Sequence, residues 1–134
     1  MRDSDSDLLP NQLIWAVQAL ACNAEEQLSL FPDFVVKADE LATDFSDGLL
    51  LVRNSEMSAS KLSVLRAIDT KLGRISADGA EFSESVWTDQ GLRESEHWSE
   101  VRALAKEVLR EFDLPLGPPP QAPNQRGVTY VPDV

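Results

Sequence analysis

The chain has 134 residues, the length of one ordinary domain, and 43% of them are apolar, which is sufficient for a buried core. The net charge is −11, and this acidity argues against a nucleic-acid partner, because phosphate binding needs a basic surface. The single cysteine excludes an internal disulfide and a multi-cysteine zinc site. The longest apolar run, residues 49–52, is too short for a membrane span, and the acidic N-terminus is unlike a signal peptide. We therefore expect a cytoplasmic protein with no membrane partner.

The N-terminal half begins with a short tail and a long helix. Residues 1–7 are expected to be disordered, and residues 8–31 are expected to form the first helix, with Pro10 in its opening turn. Trp15 falls opposite the apolar stripe of this helix, and exposed tryptophans are enriched at interfaces. The alternative is that another segment covers Trp15. The stripe recurs at helical spacing and consists of Ile14, Val17, Ala21, Ala24 and Leu28.

A second helix is predicted over residues 32–52, because Pro32 disfavours helical geometry in the residue before it and suits a first turn. At about 100° per residue, four of its carboxylates lie within roughly 60° of arc, away from its apolar stripe. They form either a solvated face or a partner-binding face. Gly48 either allows close helix approach or ends the helix, and we favour continuation. The stripe is Phe34, Ala38, Leu41, Phe45, Leu49 and Val52, and the acidic face is Asp33, Glu40, Asp44 and Asp47.

A third helix is predicted over residues 58–72, with Gly73 in a left-handed conformation just past its end. It is locally basic, and its charges either pack beside the acidic helix or contact an external anion. Residues 76–79 are expected to form a turn. The three apolar residues that follow are expected to return to the core: Phe82, Val86 and Trp87.

The last helix has the clearest pattern in the chain. Asp89 or Ser95 is expected to cap it, and Pro115 is expected to end it. Residues 114–134 are expected to be an extended, proline-rich tail that packs on the helices, and the alternative is a polyproline ligand for another protein. The inward stripe of the helix is Trp98, Val101, Ala105, Val108 and Phe112.

Catalytic chemistry has little support in these residues. His97 is the one histidine, and no serine-hydrolase or phosphate-binding glycine motif accompanies it. Glu94 and His97 form one Glu-x-x-His pair, whereas helical di-metal sites use two such pairs. We therefore expect no catalytic, cofactor-binding or metal-binding residues, and a small hydrolase or metalloenzyme that uses this pair is the rival hypothesis.

Two segments carry a resemblance. Residues 30–35 (LFPDFV) with 38–42 (ADELA), and the later pattern from Gly91 through residues 95–98 (SEHW) to Leu109, resemble small acidic bacterial proteins of the polymorphic-toxin immunity type. The resemblance spans most of residues 12–112. It implies a protein that binds and blocks one toxin without catalysing a reaction, and it carries over no binding residues.

Together these observations predict an all-α fold: an antiparallel bundle of about four helices over residues 8–113. The expected function is that of an immunity-type inhibitor, which covers a basic surface on a protein partner. The expected partner-binding residues are Trp15, Asp33, Glu40, Asp44 and Asp47. The alternative is a structural or regulatory scaffold protein that self-associates, and the sequence leaves the oligomeric state open.

Overall fold

The computed structural model describes residues 9–52, 57–116 and 119. Helices account for 70% of these residues, and none of them lies in a strand, so the predicted all-α class is confirmed for this part of the chain. The predictions for residues 1–7 and for most of the proline-rich tail lie outside the described residues. None of the described helices has the length and apolar character needed to cross a membrane. The helices are α1 (Asn11–Ala21), α2 (Ala24–Ser29), α3 (Lys37–Leu49), α4 (Ala59–Ile75), α5 (Asp89–Glu94) and α6 (Glu96–Glu111), with a 3-10 turn (Glu84–Trp87) before α5.

Helices α1 and α6 form the centre of the core. Helix α6 packs against both α1 and α4, and α3 packs on α1. The predicted inward stripe of α6 is confirmed, because each of its members is buried. Trp98 is completely buried, and its indole N–H donates to the backbone oxygen of Val86 at 2.8 Å. That bond satisfies the one polar atom of a ring that is otherwise surrounded by apolar groups.

The single first helix predicted over residues 8–31 is wrong, because the chain breaks after α1 and restarts at α2. Asn23 accepts a hydrogen bond from the backbone of Glu26, and the Glu26 carboxylate accepts one from Asn23, which makes a capping box. The buried side chain of Gln27 donates to the carbonyl oxygens of Ala19 and Leu20 at 3.2 and 3.0 Å. These bonds cap the end of α1, where the carbonyl oxygen of Ala19 also accepts from the backbone N–H of Cys22 at 3.2 Å.

Helix α3 is shorter than the predicted residues 32–52. It starts at Lys37, with Val36 in an extended conformation as its N-cap, and it ends at Leu49. Gly48 lies inside the helix, but the helix ends at the next residue, so the predicted continuation to about Arg53 is wrong. A Cβ atom on Gly48 would lie only 2.9 Å from the Cα atom of Leu13, so the glycine allows α1 and α3 to approach closely.

In the second half of the chain, local side-chain chemistry determines where the helices begin and end. Ser58 caps α4 and Ser95 caps α6, the latter as one of two predicted caps. Gly73 lies inside α4, so its predicted position past the helix end is wrong. The left-handed residue is instead Asp113, with φ of 56°, at the end of α6. There the backbone N–H of Leu114 donates to the oxygen of Leu109 at 2.8 Å, the bond typical of a Schellman ending.

Candidate protein-binding surface

Trp15 does not belong to a surface. Its side chain is only 4% exposed, so the prediction of an interfacial tryptophan is wrong. The break between α1 and α2 turns the chain back over it, and the ring of Phe31 meets the ring of Trp15 edge-on, with centroids 6.1 Å apart. Helix α1 also lies between α3 and α6, which leaves it no broad solvent face.

The predicted acidic face is only partly present. Asp44 is 4% exposed, so its prediction as a surface residue is wrong. Asp33 precedes α3 and therefore does not share a helical face with the other acids, because α3 begins four residues later. Asp47 is exposed and Glu40 is half-buried. The exposed acids of this region are thus Asp33, Asp39 and Asp47 rather than the four expected residues.

Three large apolar side chains near these acids are exposed. Phe34 is 78% exposed and Val36 is 58% exposed, and both lie in the connection between α2 and α3. Phe82 is 41% exposed and lines the same pocket as Val36. The prediction that Phe34 and Phe82 face the core is therefore wrong. We call this surface the Phe34 patch and define it as Asp33, Phe34, Val36, Asp39 and Phe82.

A buried lysine holds the connection that carries the Phe34 patch. The side chain of Lys37 is buried, and its Nζ atom lies 3.9 Å from a carboxylate oxygen of Asp33 and 3.8 Å from one of Asp89. A buried cation needs nearby opposite charges, because its removal from water is otherwise costly. The pairing with Asp89 ties the start of α3 to the start of α5. Phe34 and Val36 are consequently presented from an anchored segment.

Behind Val36 and Phe82 lies an open pocket of about 270 Å³. Trp87 forms one wall, and its position is fixed by two contacts. Its indole N–H donates to the oxygen of Ile75 at 2.7 Å, and its ring meets that of Trp98 edge-on at 5.5 Å. The lining residues are Val36, Asp39, Ser76, Ala77, Phe82 and Trp87.

A second group of polar residues, which the sequence did not single out, surrounds Lys71. This lysine is only 3% exposed, although it lies on α4 beside the inward stripe. Its Nζ atom is 3.1 Å from a carboxylate oxygen of Glu81, 2.6 Å from one of Glu100 and 2.8 Å from Nδ1 of His97. Its position on the helix could have indicated this burial, since residue 71 falls at the edge of the apolar stripe formed by Ile68, Leu72 and Ile75.

The Lys71 group is organised as a structural ion-pair cluster. Burial lowers the pKa of Lys71, but its hydrogen bonds and charge interactions with Glu100 and Glu81 outweigh burial and leave the pKa raised. The hydrogen bond from Lys71 lowers the pKa of Glu81. A lysine whose pKa is raised is a poor nucleophile or base at neutral pH. His97 faces this cation, while Glu94, its partner in the rival metalloenzyme hypothesis, is exposed on α5.

A wider groove of about 700 Å³ runs between α4 and α6 beside this cluster. Arg66 and Arg74 line it together with Leu62 and Leu104. Arg74 lies 3.7 Å from Glu81, so part of its charge is already compensated. Part of the basic charge noted on this helix therefore borders the groove, next to Glu100 of α6.

Cys22 belongs neither to the Phe34 patch nor to the Lys71 group. It is buried, and burial, with a smaller contribution from Glu26, raises its pKa to about 11. Since the thiolate is the reactive form, this cysteine is poorly suited to nucleophilic or redox chemistry. Among residues 9–52, 57–116 and 119, no three histidine, cysteine or carboxylate side chains are grouped so that they could hold a metal ion.

These residues form exposed apolar surface on an anchored segment, with exposed acids near it and an open pocket beside Val36 and Phe82. Comparisons of the chain with protein-family models, with curated proteins and with solved structures found no match.

Proposed function

We propose that this chain is a non-enzymatic protein-binding domain, an immunity-type inhibitor that neutralises a toxin domain through an acidic surface. In this proposal the four long helices form an antiparallel bundle, and that bundle acts as a rigid support for the binding surface. The observation that carries the proposal is the Phe34 patch, in which Phe34 is 78% exposed next to the exposed Asp33, with the exposed Val36 and Asp39 following within five residues.

The patch combines the two features that protein recognition uses. Large apolar side chains gain little by facing water, and contiguous exposed apolar surface is typical of interaction sites. Aromatic anchors at the centre of an interface supply much of its binding energy. The surrounding acids and the net charge of −11 would speed association with a basic partner. Phe34 would therefore determine affinity, while Asp39 and Asp47 would mainly determine the association rate and its dependence on salt.

The proposal is tested by capture followed by neutralisation. The tagged protein is used to capture partners from a lysate of its native cells at low and moderate salt. A captured basic protein is then expressed alone and together with this chain. We expect the partner alone to slow growth and co-expression to restore it.

Matched variants assign the interaction to the Phe34 patch and to Asp47, the exposed acid near the other end of α3. Phe34→Ser removes the exposed aromatic anchor, and the double variant Asp39→Lys with Asp47→Lys reverses two exposed acids, which changes the net charge from −11 to −7. The control, Glu94→Lys with Glu107→Lys, makes the same change in charge on α5 and α6.

The expected results differ between the variants. Phe34→Ser should weaken binding tenfold or more, since an anchor residue contributes roughly 2 kcal/mol. The double reversal at Asp39 and Asp47 should slow association and flatten its salt dependence, while the control retains most of the wild-type rate. Two results would contradict the proposal. One is a partner that binds Phe34→Ser and the Asp39 and Asp47 double variant as well as it binds the control, and the other is the absence of any captured protein that slows growth.

Self-association is the second candidate, and one observation favours it. Leu50 and Leu51 at the end of α3 are exposed, as is Phe34, so the molecule offers apolar surface to a second copy. Sedimentation equilibrium over a hundredfold range of concentration separates the two functions. A monomer throughout supports the inhibitor, whereas a concentration-dependent dimer that Phe34→Ser or Leu50→Ser abolishes supports the scaffold.

A further inference from the structure

We infer that the pocket formed by Val36, Phe82 and Trp87 receives one large apolar side chain of the partner, and that a neighbouring arginine or lysine of the partner pairs with Asp39. This inference rests on the proposed protein-binding function and specifies the chemistry that the partner must present. The occupant is therefore a protruding segment in which a large apolar residue and a cationic residue are adjacent.

The walls of the pocket suit an apolar side chain. Val36, Ala77, Phe82 and Trp87 supply apolar surface, and the hydroxyl of Ser76 is already used, because it donates to the oxygen of Leu72 at 2.6 Å. The volume of about 270 Å³ exceeds that of an apolar cavity known to bind benzene, which is about 150 Å³. An indole or phenyl ring can therefore enter without displacing a wall.

Two parts of the pocket, the Trp87 wall and the turn that leads to Phe82, are held in place by contacts within the protein. Trp87 is held by its bond to Ile75. Phe82 follows a tight turn in which the N–H of Gly79 donates to Ser76 at 2.7 Å and the N–H of Phe82 donates to Gly79 at 3.3 Å. A Cβ atom on Gly79 would lie 2.1 Å from the oxygen of Arg74, so this turn packs tightly against the end of α4. A preformed pocket reduces the entropy that binding must offset.

The carboxylate of Asp39 at the rim of the pocket favours a cationic residue next to the partner's apolar side chain. Asp39 lines the pocket, is exposed, and has no ion pair with any residue in the described ranges. The nearby lysine, Lys37, is instead paired with Asp33 and Asp89. An arriving cation therefore meets a carboxylate whose charge the fold has not already neutralised, whereas an arriving carboxylate is repelled.

The inference is tested on the full chain with three blocked dipeptides: acetyl-Trp-Arg-amide, acetyl-Trp-Glu-amide and acetyl-Ala-Arg-amide. Each is titrated into ¹⁵N-labelled protein, and two-dimensional NMR spectra follow the indole signal of Trp87 and the backbone signals of Val36 and Phe82. The variant Ala77→Phe fills the pocket from an exposed position, and Asp39→Asn removes the rim charge. Circular dichroism confirms that both variants retain the fold.

We expect acetyl-Trp-Arg-amide to shift the signals of Val36, Phe82 and Trp87, and Ala77→Phe to abolish these shifts. Acetyl-Trp-Glu-amide should bind about fivefold more weakly, a difference of about 1 kcal/mol, and Asp39→Asn should remove that preference. Acetyl-Ala-Arg-amide should leave the three signals unchanged. Shifts that Ala77→Phe does not alter, or equal binding of the two tryptophan peptides, would overturn the inference.

The peptide titration tests the pocket inference separately from the proposed function. If a toxin partner is captured and depends on Phe34, yet the peptides leave Trp87 unaffected, the pocket inference fails and the binding function stands. If no partner is found while the peptides bind as expected, the pocket is real and the inhibitor function fails.

Discussion

Two glycines in helices should respond in opposite ways to the same substitution. Gly73 lies within α4, is exposed, and has no atom within 4 Å of the place where a Cβ would stand. Alanine is favoured over glycine inside a helix by roughly 0.5–1 kcal/mol, so Gly73→Ala should stabilise the protein by about that amount. The same propensity gain is available at Gly48, which lies within α3.

At Gly48 the gain is offset by a collision. The new Cβ would lie 2.9 Å from the Cα atom of Leu13 and 3.0 Å from its Cβ. Leu13 is completely buried in α1, so its backbone can yield only if α1 moves away from α3. Overpacking of this kind costs roughly 1–3 kcal/mol. The net effect of Gly48→Ala should therefore be a loss centred on about 1 kcal/mol.

Urea unfolding followed by circular dichroism at 222 nm measures both changes. Midpoints should move in opposite directions with unchanged slopes, because neither substitution alters the surface exposed on unfolding. In thermal unfolding each kcal/mol should correspond to about 3–6 °C for a chain of this size. If Gly73 stood past the helix end with positive φ, as the sequence predicted, its alanine variant would be destabilised. A Gly48→Ala protein as stable as wild type would refute the close packing of α1 on α3.

Three further predictions follow from single contacts. Cys22 has a pKa raised to about 11 and is buried, so a thiol reagent such as Ellman's reagent should label the native protein at pH 8 far more slowly than the protein in urea; equal rates would show that the thiol is accessible. The pKa of Glu81 is lowered by its bond to Lys71. The stability that this ion pair provides is therefore present at pH values above the ordinary pKa of a glutamate, and it is lost as the pH falls through the lowered pKa. Lys71→Met should therefore flatten the fall in unfolding free energy between about pH 5 and pH 3, and an unchanged pH profile would show that the pair contributes nothing. Asp113 has φ of 56°, so Asp113→Gly should raise the unfolding midpoint and Asp113→Ala should lower it; the reverse order would exclude the left-handed ending of α6.

Much of the helical core follows from the sequence because its residues repeat at helical spacing. The stripe of α6 from Trp98 to Val108 is buried as predicted, and so are Ala38, Leu41 and Phe45 of α3. The cap at Ser95 follows from local chemistry alone. Such features depend on neighbours within a few residues, and periodicity and side-chain type therefore suffice to identify them.

The binding surface was predictable only in part. The sequence identified Asp33 and Asp47 as surface acids but also placed Asp44 and Trp15 there, and both are buried. A helical projection shows which residues share a face, but it does not show how many other helices cover that helix. Phe34 was assigned to the core because the projection extended α3 five residues too far towards the N-terminus.

The sequence by itself determined the all-α class, the acidity, the inward stripe of α6, the centre of that of α3 and the cap at Ser95, because these are set by composition and by contacts between near neighbours. Only the tertiary structure decided which polar residues are buried and which apolar residues are exposed. Lys71 is buried because Glu81 and Glu100, 10 and 29 residues away, supply compensating charge. Phe34 is exposed on the connection between α2 and α3, and Lys37, where that connection meets α3, pairs with Asp89, 52 residues later. Pairings across such distances depend on how the helices pack, and no local pattern encodes that packing.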